Sequence, residues 1–120
     1  MEIVSKLLIA LVALEHVYFL VLEMFLWTTP RTRRSFGTTE DFAQASKTLA
    51  ANQGLYNGFL AAGLVWSLLS PDPNVAHQIG FFFLGCVLIA GVYGGLTVKR
   101  SILLIQGLPA LLALIALLLW

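Results

Sequence analysis

Residues 3–27 read IVSKLLIALVALEHVYFLVLEMFLW. The stretch exceeds the ~20 apolar residues that carry a helix across hydrocarbon. Yet Glu15 and His16 stand side by side in its middle, and Glu23 follows two helical turns after His16. Ionisable groups at such depth are costly, so they face a partner or a water-filled cavity. Glu15, His16 and Glu23 are therefore the first candidates for chemistry.

The rest of the chain makes a membrane the natural solvent. Of 120 residues, 59% are hydrophobic and 11% charged, against about 25% charged in a soluble domain. Too little polar surface remains to clothe a water-soluble globule of this length. The net charge of +1 argues against nucleic acid as a partner. The lone Cys86 excludes an internal disulfide or a cysteine-pair redox site. Glu2 opposes a basic n-region, and no small-x-small cleavage pattern precedes Glu15, so residues 3–27 read as a retained span.

Four stretches are long enough to cross: 3–27, 49–69, 78–97 and 101–120. Backbone groups in lipid must be satisfied within each span. The expected fold is all-α: a polytopic, four-transmembrane-helix bundle forming one domain over residues 1–120. Thr28-Thr29-Pro30 is read as the end of the first helix, since proline disfavours helix in the residue before it. Ser70-Pro71-Asp72-Pro73-Asn74 is a turn-rich break, and Val98-Lys99-Arg100 a short charged hairpin. Thr38 and Asp41 are spaced as a capping box, so the second helix is expected to begin near Thr39, outside the hydrocarbon.

Basic residues set the orientation. Of seven Lys and Arg, all but Lys6 fall in the first loop (Arg31, Arg33, Arg34, Lys47) or the third (Lys99, Arg100). The positive-inside rule then places both loops in the cytoplasm and both termini outside. Trp27, Trp66 and Trp120 fall near span ends, as interfacial tryptophans do.

With this orientation the polar side chains sort by depth. Glu23 lies about one turn from the cytoplasmic end of the first span. Asn52, Gln53, Tyr56 and Asn57 occupy the first turns of the second, Tyr93 and Thr97 the end of the third, and Gln106 the start of the fourth. A polar intramembrane pocket open to the cytoplasm would explain the sorting, with Asn52, Gln53, Tyr56, Asn57, Tyr93 and Gln106 as ligand-binding residues. Asn52 and Tyr56 share one side of their helix, Gln53 and Asn57 its neighbour, so the four cannot all point at one spot. Each has a plainer reading as well. Asn57 and Gln106 read first as interhelical glue, and the tyrosines as packing residues with a satisfied hydroxyl.

Gly54-x-x-x-Gly58 and Gly91-x-x-x-Gly95 each put two glycines on one helix face, which allows close backbone approach. Internal packing is the preferred reading, with a homodimer interface as the alternative. Pro109 removes one backbone hydrogen bond, freeing the carbonyl of Ile105 beside Gln106, and a kink is expected there.

Four segments carry a family resemblance: Glu15-His16-Val17-Tyr18 through Glu23-Met24-Phe25-Leu26-Trp27; Asn52-Gln53-Gly54-Leu55-Tyr56-Asn57-Gly58; Gly91-Val92-Tyr93-Gly94-Gly95-Leu96-Thr97; and Gln106-Gly107-Leu108-Pro109-Ala110. Their order resembles a family of small bacterial integral membrane proteins, domain of unknown function family thirteen-oh-four. The resemblance covers nearly the whole chain. It implies a four-helix inner-membrane protein and supplies no reaction.

Function is weighed on the residues themselves. The leading expectation is a protein that binds or transforms a small amphiphilic or lipid-like molecule, with Glu15, His16 and Glu23 exchanging protons near neutral pH. The alternative is a small proton-coupled exporter, resembling the small multidrug resistance transporters in architecture only. Neither reading needs a cofactor. Metal is disfavoured, because only His16 lies deep and no His-x-x-x-His or Glu-x-x-His pairing is present. A scaffold without a ligand is the remaining reading. The partners expected are the lipid bilayer and the amphiphile.

Overall fold

The first helix stops three residues short of where its hydrophobicity does. The computed structural model describes residues 2–119, and its α1 spans Ile3–Met24. At its end the Phe25 and Leu26 N–H groups both bond the Val21 carbonyl, at 3.0 and 3.2 Å. Pro30 is thus not the terminator that its ring chemistry suggested. It opens a helix of its own: α2 runs Pro30–Phe36, with Pro30 in its first turn, Thr29 as its N-cap and Gly37 as its C-cap. Proline suits the first helical position because the N–H it lacks would be unpaired there anyway. Gly37 takes a left-handed φ of 68° that a Cβ would penalise.

The next helix, α3, covers Glu40–Leu69. Its cap corrects the expected box by one residue: Thr39 Oγ1 accepts from the Phe42 N–H at 3.2 Å, so Asp41 lies inside the first turn and does not close a box with Thr38. Asp72 caps α4 (Pro73–Thr97) by accepting from the Asn74 N–H at 2.9 Å. A five-residue π-helical turn, Leu103–Gly107, leads into α5 (Leu108–Leu119). Every element among the described residues is helical.

Two of the four expected spans, α1 and α4, are helices long and apolar enough to cross a membrane. The stretch Leu103–Leu119 is apolar but shorter. α3 is the longest helix of all, at 30 residues, yet its first half carries Glu40, Asp41, Lys47, Asn52 and Gln53.

The chain divides into two compact units: Met1–Leu14 with Leu60–Trp120, and Glu15–Phe59. In the first, Ile9, Val12, Ala13, Leu64, Leu84, Val87, Ala110, Ala113 and Leu117 form the buried core. Small residues set how closely its helices approach. A Cβ on Gly91 would stand 2.8 Å from the Gly107 nitrogen, and one on Gly95 2.2 Å from Leu103 Cγ. Ser67 Oγ donates to the Ala76 carbonyl at 2.7 Å, so this buried hydroxyl is satisfied within the unit.

The π turn sits where Pro109 removes a donor. The Leu108 N–H bonds the Leu103 carbonyl, five residues back, in place of a regular four-residue step. Widening the turn is one of the ways a helix accommodates such a proline.

The second unit contains the end of α1, all of α2 and the first two thirds of α3. Here Gly54 is the close-approach point. A Cβ on it would meet Met24 Cγ at 2.7 Å, Glu23 Cβ at 3.0 Å and the Leu20 carbonyl oxygen at 3.2 Å. Gly58 rests on Leu20 in the same way, at 2.7 Å from its Cδ1. Both glycine pairs of the sequence therefore pack against helices of this same chain.

Candidate functional site

Glu23 is 2% exposed, and α3 supplies what its carboxylate needs. Gln53 Nε2 donates to Oε2 and Asn57 Nδ2 to Oε1, each at 2.5 Å. The two amides lie four residues apart, one helical turn, so they form a vertical pair on one side of α3. Gly54, between them, removes the side chain that would otherwise hold α1 away. Three features of one short sequence thus cooperate: a carboxylate on α1, two amides at i and i+4, and a glycine that lets them meet.

An open groove of about 360 Å³ lies beside this cluster. Glu23, Met24, Phe25, Trp27 and Thr28 line it from the end of α1 and the following turn, and Lys47, Thr48 and Ala51 from α3. Among the described residues no backbone N–H reaches the carbonyls of Leu22, Glu23 or Met24. These unspent acceptors carry the negative end of the α1 dipole.

Trp27 fastens the turn above the groove. Its indole N–H donates to Ser46 Oγ at 3.1 Å, and the Ser46 hydroxyl in turn donates a hydrogen bond to the Phe42 carbonyl at 2.6 Å. The indole also lies 4.9 Å from the Phe36 ring of α2. Arg33 Nε reaches back to the Thr28 carbonyl at 3.2 Å. The basic first loop is thus a folded helix tied at both ends, leaving Arg31, Arg34 and Lys47 exposed.

Among the described residues no three His, Cys, Asp or Glu gather as a metal-binding group. The other sequence candidates fall as follows. His16 is fully buried on α1, edge-on to Phe19 at 5.3 Å. Glu15 is half-buried, with Oε1 making no hydrogen bond among the described residues. Neither lines the groove. Asn52 and Tyr56 occupy the neighbouring side of α3 and are exposed, Tyr56 lying 5.8 Å from the Phe59 ring. Tyr93 is exposed on α4, and Gln106 is half-buried within the π turn. Of the six expected ligand-binding residues, only Gln53 and Asn57 bond Glu23. Lys47 and Thr48 line the groove as well, though in the sequence Lys47 stands only as one charge of the basic first loop and Thr48 carries no signal.

A family model described as a protein of unknown function (DUF1304) matches residues 10–118. The chain belongs to this family. The uncharacterized protein YpaA of Lactococcus lactis subsp. lactis (strain IL1403) is similar to it, 35% identical over 118 residues, which is 97% of this chain and 98% of YpaA. No solved structure matches the chain. The family match takes in all the residues of the Glu23 cluster and groove, so the site lies within the shared domain.

Proposed function

We propose that this DUF1304 protein is a four-span integral protein of the inner membrane that binds a small amphiphilic molecule in the groove beside Glu23. The observation that carries this reading is Glu23 itself: a buried residue whose carboxylate is held by two amides and which is among those lining an open groove of mixed polar and apolar residues. A buried carboxylate is a costly way to hold two helices together when neutral side chains would serve. An amphiphile suits the lining, because Phe25, Met24 and Trp27 offer apolar contact while Thr28, Thr48 and Lys47 offer polar partners.

The four-span arrangement adds α3 and the stretch 103–119 to the two apolar helices. At ~1.5 Å per residue α3 measures roughly 45 Å, enough to cross and to extend into the interface. The six basic residues of the first and third loops put the groove end of α1 on the cytoplasmic side. In this reading His16 and Glu15 supply proton chemistry to any part of the ligand that reaches deeper than the groove, and Glu23 anchors its polar end.

Mass spectrometry of the protein after gentle solubilisation tests the binding. Wild-type chain is expected to retain a small molecule in near-stoichiometric amount, and Glu23→Gln to lose it. Retention of the same molecule by Glu23→Gln would remove Glu23 from the site. Orientation is checked separately with Cys86→Ala protein carrying either Arg33→Cys or Asn74→Cys. Asn74→Cys is expected to react with an impermeant thiol reagent on intact cells, and Arg33→Cys only after the membrane is opened.

A further inference from the structure

We infer that the groove ligand is a phospholipid whose headgroup carries both a phosphate and a primary ammonium. The inference rests on the amphiphile reading above and gives its chemical class. Two opposite preferences meet in one groove. On the α1 side stand Glu23 and Met24, whose backbone carbonyls no backbone N–H reaches among the described residues; these carbonyls and the Glu23 carboxylate are all acceptors that favour N–H donors with positive charge. On the α3 side Lys47 offers the one cationic side chain of the lining, with the Thr48 hydroxyl next to it. A carboxylate has about four acceptor positions, and the amides of Gln53 and Asn57 take two, so Glu23 keeps capacity for a further donor.

An anionic headgroup alone would satisfy Lys47 and repel Glu23. A simple cation would do the reverse. A zwitterion with phosphate toward Lys47 and ammonium toward the end of α1 satisfies both. The ammonium must bear N–H bonds, because backbone carbonyls and a carboxylate reward hydrogen-bond donation. A quaternary amine has none to give. The source is a lipid and not a free aminophosphate, because the groove continues onto exposed apolar surface: Phe25 is 72% exposed at its edge. The place is also right for a headgroup, since the groove lies at the end of a helix long and apolar enough to cross a membrane.

Trp27 gives a probe inside the groove. The full-length chain with Trp66→Phe and Trp120→Phe, purified in a mild detergent, reports on the site through Trp27 fluorescence alone. It is titrated with short-chain phosphatidylethanolamine, phosphatidylcholine and phosphatidylglycerol, and with soluble phosphoethanolamine. Phosphatidylethanolamine is expected to give a saturable change at about tenfold lower concentration than either other lipid, the size of one charge-assisted hydrogen bond. Phosphoethanolamine alone is expected to bind far more weakly. Lys47→Ala, at an exposed position, is expected to weaken the ethanolamine and choline lipids alike. Glu23→Gln is expected to erase the preference between them.

Equal binding of all three lipids would overturn the headgroup assignment and leave the amphiphile reading standing. A preference for the choline or glycerol lipid would do the same. Phosphoethanolamine binding as tightly as its lipid would overturn the lipid source. No fluorescence response to any lipid would overturn the inference, while the retained-molecule experiment would still decide the broader reading on its own.

Discussion

Gly91→Leu is expected to leave no folded protein, and Gly91→Ala to lower stability by about 1–3 kcal/mol, the usual cost of overpacking a filled contact. The Cβ of alanine would stand 2.8 Å from the Gly107 nitrogen and 2.9 Å from its Cα. Both are backbone atoms, so no rotamer change relieves the clash. α4 and the π turn would have to separate along their contact. Gly85 is the internal control, because a Cβ there meets nothing within 4 Å. Gly85→Ala should be neutral or stabilise by up to ~1 kcal/mol through helix propensity. Thermal unfolding of the three variants in one detergent checks both expectations. Equal stability of Gly91→Ala and Gly85→Ala would mean that α4 does not press on Gly107.

Glu23→Leu is the second large effect, with an expected loss of about 2 kcal/mol. The cost comes less from the missing carboxylate than from the two donors it strands. Gln53 is exposed and finds other partners, whereas Asn57 is half-buried, so most of the loss falls on Asn57. Replacing all three residues with leucine removes the stranded donors together with their acceptor, and stability should return to near the starting value or exceed it. Binding of the amphiphile should not return. A triple variant as unstable as Glu23→Leu would show that the polar cluster holds these segments by more than mutual satisfaction.

Much of this cluster was legible as spacing. Gln53 and Asn57, four apart, had to share a side of their helix, and Asn52 and Tyr56 had to share the next one. What spacing leaves open is which side turns toward α1. Gly54 holds that information: the side without a Cβ allows the approach, and Gln53 and Asn57 flank it. The long helices were legible because hydrophobic length is a strong signal in a chain so poor in charge. The segment between α1 and α3 was not. Pro30 has opposite meanings depending on what precedes it, stopping a helix already under way or opening one that Thr29 caps. Because α1 had ended at Met24, the second meaning held. Trp27 and Ser46 meet only after α2 has folded back, a distance in sequence across which no periodicity operates. His16 and Glu15 stood out by cost alone, and cost does not say which way a side chain faces.

The wide turn ahead of Pro109 has an effect that reaches beyond its five residues. A helix wound this way holds one residue more than its length requires, and everything after that surplus is rotated by about one residue's worth, roughly 100°. A helical wheel drawn straight through 101–120 therefore slips phase at Gly107. Ala110, Ala113 and Leu117 belong to the buried core, while Leu103, ahead of the slip, presses on Gly95 of α4. The proline thus acts less as a break than as a gear change, letting one continuous rod present two differently angled faces to the same neighbour.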